Sequence, residues 1–234
     1  MTLPRGARSV MASRREPPNS LDFFPTPPWG TRAVVEILEE IDWAVRDRSV
    51  TVCDPCCGEG HMAHVLADIF GDCVAADVFD YGWGAERADF LAGEWSVGVE
   101  VDWFVFNPPF NAAPRFLDLA LRRARRGAAM LVRAAFLEGQ DRFDELFRST
   151  PPAIVAIFAE RLSMVKGRWN PKASSATSYA WLIWRKWSED DAVRNAPPEL
   201  RWIPTGTRDR LWMPDDVRRF APLAPVPLFD GAEP

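Results

Sequence analysis

The sequence predicts an α/β domain: one mostly parallel sheet with helices on both faces and an antiparallel last strand. Three observations predict it. The run Ser49-Val50-Thr51-Val52-Cys53 reads as a short strand and passes straight into Asp54-Pro55-Cys56-Cys57-Gly58-Glu59-Gly60. Apolar residues at helical spacing follow (Met62, Val65, Leu66, Ile69), completing a strand, glycine turn and helix. A second strand-like run, Asp72-Cys73-Val74-Ala75-Ala76-Asp77, also ends in a carboxylate. Finally, the aromatic and β-branched run Val101 to Phe106 stops at Asn107-Pro108-Pro109-Phe110, because two consecutive prolines cannot continue a central strand.

The chain of 234 residues is long enough for one domain with a sizeable core, and its 47% hydrophobic and 26% charged content is that of a soluble globular protein. No apolar run reaches the roughly 18 residues needed to span a bilayer. The basic start, Met1 to Arg15, lacks the apolar centre of a signal peptide, so a cytoplasmic location is expected. Net charge is −5, which excludes a protein that coats nucleic acid through a uniform positive field. Cys53, Cys56, Cys57 and Cys73 crowd one region, with His61 and His64 close behind. Their spacing matches no common zinc pattern, and buried thiols in a reducing compartment are expected, with no metal.

In chain order, residues 1–20 are polar and read as a disordered tail. Leu21 to Trp29 holds three prolines and three aromatics. Two readings apply: a hydrophobic clamp that tethers the tail, or an extended segment that lines a pocket with the Thr26 hydroxyl facing a ligand. A helix capped near Gly30-Thr31 follows, with Val34, Val35, Leu38 and Ile41 on one side. Gly58 and Gly60 allow positive φ and close approach of a ligand to the backbone. The turn matches neither the dinucleotide fingerprint nor the phosphate-binding loop. An acid at a strand end is a poor partner for phosphate and a good one for an amine, as in the methionyl part of S-adenosylmethionine. Asp77 is placed to accept ribose hydroxyls. Asp89-Phe90-Leu91 supplies an acid and apolar faces for an adenine.

Pro114 to Arg126 reads as a helix, Ala128 to Val132 as a strand and Asp141 to Arg148 as a short helix. Ala153 to Phe158 and Tyr179 to Trp184 read as antiparallel neighbours. Between and beyond them, Arg161 to Trp187 carries six basic residues and no Asp or Glu. Arg161, Lys166, Arg168 and Lys172 suit phosphate contacts, with Trp169 stacking on a base; a solvated basic loop is the alternative. Residues 188–234 are rich in Pro and Arg and read as an irregular wrap over the sheet or a tail.

Asn107-Pro108-Pro109-Phe110 is a compact device for a planar amine. The Asn oxygen and the Pro108 carbonyl can accept from an exocyclic amino group, Pro109 stiffens the turn, and Phe110 offers a face for a base. Together with Asp54-Pro55-x-x-Gly58-x-Gly60 and the upstream Thr26-Pro27-Pro28, this motif resembles the amino-group DNA methyltransferases that use S-adenosylmethionine. The likeness to small phage-type adenine methyltransferases extends from about Leu21 to Trp187.

The resemblance implies a Rossmann-like class I methyltransferase domain over 21–187. It implies Asp54, Pro55, Gly58 and Gly60 around the methionyl part, Asp77 at the ribose, and Asp89 with Phe90 at the adenine. Pro25, Thr26, Pro27 and Asn107 would line the cofactor pocket. Asn107, Pro108, Pro109 and Phe110 would be catalytic, on an adenine flipped out of DNA, in a phage or restriction-modification setting. Similar motifs occur in enzymes that methylate RNA or protein glutamine amides. No separate target-recognition domain and no protein partner are evident, so relaxed or short sequence specificity is expected.

Overall fold

In a computed structural model of the chain, residues 23–94, 100–186 and 196–221 are described. The expected tail over 1–20, Trp187 and the chain after 221 lie outside them.

Helix α1 spans Pro28–Ile41 and starts on Pro28, at a position where no backbone donor is needed. It begins two residues before the expected Gly30-Thr31 cap. A short turn of helix, α2 (Trp43–Arg46), leads to strand β1 (Thr51–Asp54), the glycine turn and helix α3 (His61–Ile69). Strands β2 (Asp72–Asp77), β3 (Glu86–Arg87) and β4 (Val101–Phe106) follow, then helix α4 (Ala113–Arg123) and strand β5 (Ala124–Arg133). Helical turns cover 140–147 before β6 (Ile154–Phe158) and β7 (Tyr179–Arg185). The expected α/β class holds.

Among the described residues eight strands, the last being β8 (Glu199–Ile203), form one sheet in the order β3-β2-β1-β4-β5-β7-β6-β8. All neighbours are parallel except β7, which runs antiparallel to both β5 and β6. Period-two alternation buries both faces. Trp103, Val105, Leu131, Trp181 and Ile183 join the core beneath α1. Phe104, Phe106, Met130, Leu182 and Trp184 join the core beneath α4. The two fully buried indoles are satisfied: Trp181 Nε1 donates to the Gly30 carbonyl at 3.1 Å and Trp103 Nε1 to Asp42 Oδ2 at 2.8 Å.

Two expectations are corrected. The helix expected to run to Arg126 ends at Arg123, and β5 starts four residues early. Arg126 is drawn into the strand because its guanidinium meets the buried Asp42 carboxylate at 3.0 Å and Asp102 at 3.3 Å. The irregular wrap expected after 188 contains an eighth strand, β8 (Glu199–Ile203), parallel to β6 at the sheet edge. Short helices at Thr207–Leu211 and Asp216–Phe220 follow. They are pinned to α1 by a buried two-pronged pair, Arg32 to Asp216 at 2.7 and 2.8 Å. The edge strand is thus followed by a segment that packs back over the helices.

Candidate active site

The carboxyl ends of β1, β2 and β4 meet where strand order reverses, the place at which open α/β sheets hold ligands. A cavity of about 260 Å³ opens there. Of the residues expected to serve a cofactor, Thr26, Asp54, Pro55, Asp77, Asp89, Phe90 and Asn107 line it, as does Pro109. Pro25, Gly58 and Gly60 are not among its lining, and Pro27 faces a second, much smaller cavity beside Arg161 and Trp169.

Asp54 closes β1 and is 1% exposed. Burial pushes its carboxyl up to about 8; the Cys56 backbone N–H, donating to Oδ1 at 3.3 Å, opposes the shift, and the charge of Asp77 adds to it. A buried carboxyl with so little compensation is poised for a cation. Asp77 holds the turn: its two oxygens accept from the Gly58 and Phe79 backbone N–H groups, each at 2.9 Å. Asp89 Oδ1 accepts from the Leu91 and Ala92 N–H groups at 2.9 and 3.2 Å, which sets one carboxylate oxygen and the backbone around it. Burial also raises the four cysteine thiols, Cys73 up to about 12, so they are neutral and poor nucleophiles.

Gly58 is left-handed at φ +52°, and a Cβ there would lie 2.2 Å from the Phe23 ring. The close approach that the glycine permits is therefore made by Phe23, whose ring also lines the cavity. Trp83 plays the same part at Gly60 and donates its indole N–H to the Gly58 carbonyl at 2.7 Å. Phe23 escaped the sequence reading as a site residue, although it belongs to the aromatic and proline segment singled out there.

Asn107 follows β4, and its amide is oriented. Nδ2 donates to the Phe24 carbonyl at 2.8 Å and to Thr26 Oγ1 at 3.2 Å. A backbone carbonyl only accepts, so the amide nitrogen must face Phe24 and Oδ1 is turned the other way. Of the segment Leu21 to Trp29, Phe23, Phe24 and Thr26 line the cavity, Leu21 and Asp22 lie outside the described residues, and the buried Thr26 hydroxyl serves Asn107 as an acceptor. Phe110 packs 5.5 Å from Phe24, and the Arg133 guanidinium lies 3.8 Å above the Phe110 ring. A base stacking on Phe110 would have to displace Arg133 or share the ring with it. Nothing in the local sequence around Arg133 signals that role.

In the basic loop, Arg161, Lys166, Arg168 and Lys172 are all exposed. Trp169 is not. At 3% exposure it packs with Val65 and Phe220 and lies 5.7 Å from Trp212, so it cannot stack on a nucleic acid base in this arrangement. The expectation fails because the C-terminal segment covers it. Trp169→Ala should therefore cost about 3–5 kcal/mol of stability, as for loss of a buried large aromatic. Equilibrium denaturation checks this, and a stability unchanged within about 1 kcal/mol would return Trp169 to the surface.

Among the described residues, His61 and His64 included, no cluster of three or more His, Cys, Asp or Glu side chains could hold an ion. No helix among them is long and apolar enough to cross a membrane.

No protein-family model and no curated protein matches the sequence. Solved structures do match in three dimensions. A protein from Listeria monocytogenes described as a class I S-adenosylmethionine-dependent methyltransferase is 18% identical, with a TM-score of 0.54 over 76% of this chain and 64% of its own. A type I restriction-modification methyltransferase subunit from Streptococcus thermophilus is 12% identical, with a TM-score of 0.56 over 71% of this chain. A type I restriction enzyme modification subunit from Vibrio vulnificus is 16% identical, with a TM-score of 0.50 over 79%. This is the class I methyltransferase fold. The chain spans only 46% and 48% of the two restriction-modification subunits.

The residues at the switch point suit S-adenosylmethionine. S-adenosylmethionine carries an ammonium, a ribose diol and an adenine amino group, all hydrogen-bond donors. The cavity presents three carboxyl groups, Asp54, Asp77 and Asp89, the first of them 1% exposed. At about 260 Å³ the cavity is slightly smaller than the roughly 300 Å³ usual for small-molecule sites, with the Phe23 ring taking up space beside the turn.

Proposed function

We propose that the protein is an S-adenosylmethionine-dependent methyltransferase acting on the N6 amino group of adenine in DNA. The observation that carries this reading is the fixed orientation of Asn107, whose Oδ1 is left to accept from a planar amine beside a cavity rich in carboxyl groups. Bound S-adenosylmethionine would supply an electrophilic methyl group. Asp54 would take the methionyl ammonium, Asp77 the ribose and Asp89 the adenine amino group.

An adenine amino nitrogen is a weak nucleophile because its lone pair is delocalised into the ring. Asn107 Oδ1 and the Pro108 carbonyl would accept hydrogen bonds from its two N–H groups, favouring tetrahedral nitrogen and stabilising the positive charge that develops there until one of the two protons is lost to solvent. A base inside a duplex cannot reach this turn, so it would be flipped out against Phe110, beside Phe24 and Arg133.

DNA is favoured by the exposed Arg161, Lys166, Arg168 and Lys172, and two modification subunits of restriction systems share the fold. With a net charge of −5, affinity for a polyanion has to be local. Alanine at each of these four positions should flatten the slope of log affinity against log salt by about 0.9 for duplex DNA. Slopes unchanged in all four variants would remove the loop from the interface.

Incubation with labelled S-adenosylmethionine and DNA, RNA or protein, followed by mass spectrometry of the product, tests the activity. N6-methyladenine in DNA is the expected product. Label in RNA or in glutamine amides alone would overturn the substrate assignment and keep the chemistry.

A further inference from the structure

His61 is a buried titratable group that the mechanism leaves without a role. It opens α3 directly after the glycine turn, is 4% exposed and lines the same cavity as Asp54. Its Nε2 lies 3.0 Å from the Phe220 carbonyl. A carbonyl only accepts, so Nε2 carries the hydrogen and Nδ1 is left with a lone pair. Nδ1 is buried and has no hydrogen-bond partner among the described residues. Buried acceptors are rarely left unpaired, and one carried by a residue that lines a ligand cavity points to a donor on the ligand. The ring is held neutral, since burial lowers its pKa to about 4, so Nδ1 stays an acceptor at physiological pH.

We propose that His61 Nδ1 accepts a hydrogen bond from the methionyl ammonium of S-adenosylmethionine, and that the C-terminal segment sets the tautomer that makes this possible. The assignment rests on the cofactor reading above. The ammonium is the matching donor because Asp54, in the same cavity, is the group suited to a cation. The Phe220 carbonyl is itself held firmly. Phe220 packs on Val65 and Trp169, and the helix it ends is anchored by the buried Asp216 to Arg32. The segment 207–220 thus belongs to the cofactor site through one imidazole, although none of its residues lines the cavity.

Two substitutions separate the halves of the proposal. Glutamine places an N–H donor near the position of Nε2 and no acceptor near Nδ1; asparagine places an oxygen near Nδ1 and nothing near Nε2. By calorimetry, H61Q should weaken S-adenosylmethionine binding by about 10- to 100-fold, as for a lost hydrogen bond to a charged group, with its Tm close to that of the parent. H61N should keep affinity within about threefold of the parent, because an acceptor remains, while its Tm falls as the tie to Phe220 is lost. Binding of 5′-methylthioadenosine, which lacks the amino-acid end, should be equal in the parent and H61Q. In the unmodified protein, the ¹⁵N resonance of His61 Nδ1 should move when S-adenosylmethionine is added.

A parent protein that does not bind S-adenosylmethionine would overturn the cofactor reading and this proposal together. A parent that binds, with H61Q binding equally well or with an unmoved Nδ1 resonance, would overturn this proposal alone. Equal losses for the two ligands would place the contact on the nucleoside and overturn the methionyl assignment.

Discussion

Replacing Asn107 with alanine is expected to lower methyl transfer by at least about 100-fold, the usual consequence of losing one preorganised transition-state contact. Cofactor affinity should change by less than about threefold, because in the proposed arrangement Asn107 would contact the acceptor amine while Asp54, Asp77 and Asp89 would hold the cofactor. The hydrogen bonds to Phe24 and Thr26 make the group preorganised: the amide is already turned before any base arrives. Thr26→Val removes one of the two restraints and should cost roughly threefold to tenfold in turnover, as for one neutral hydrogen bond. Single-turnover rates with saturating cofactor, set beside calorimetric affinities, separate these effects. An alanine variant that methylates at a near-parental rate would remove Asn107 from the chemistry.

The parts of the site that were legible in the sequence share one property: each is local. Asp54 to Gly60 announces itself because a strand end, an acid and two glycines fall within a few residues, and the structure places that turn at the switch point. Asn107 was legible because prolines break a strand wherever they occur in its interior. Pairing of β6 with β7 was equally local, and its antiparallel register is found, Ile154 opposite Ile183.

What escaped the sequence depends on residues far apart along the chain. Trp169 reads as an exposed aromatic among basic neighbours until Phe220 and Trp212 cover it, and those lie in a stretch whose prolines argue for irregular structure. Strand β8 is only five residues long and has prolines on both sides, yet an edge strand needs a single partner and β6 supplies it. Arg126 switches from helix to strand because Asp42 waits for it across the sheet. His61 drew attention only as a candidate metal ligand, since its partner carbonyl at Phe220 is 159 positions away. Local propensity cannot report such contacts.

The buried carboxyl of Asp54 carries the other large expected effect, with opposite signs for the free and the bound protein. Its pKa in the folded chain is about 8, well above the ordinary value of 3.8. The folded state therefore binds this proton more tightly than the unfolded chain does. The stability it contributes is fully present below about pH 4 and is lost as pH rises through about 8. Asp54→Asn abolishes the titration, so without cofactor the variant should be more stable than the parent at pH 8, by roughly 5 °C or more in Tm, and the gap should close toward pH 4. The same substitution should nearly eliminate S-adenosylmethionine binding, because an amide cannot neutralise the ammonium.

In the parent, the cofactor must meet an ionised Asp54, so binding should expel about one proton near pH 7 and tighten by up to about tenfold per pH unit between pH 5.5 and 7. Calorimetry in two buffers of different ionisation enthalpy measures that proton directly. Proton uptake on binding, or affinity independent of pH over this interval, would show that Asp54 is not the partner of the ammonium. A variant that is stabilised and still binds tightly would leave Asp54 with a purely structural cost and move the cation site elsewhere in the cavity.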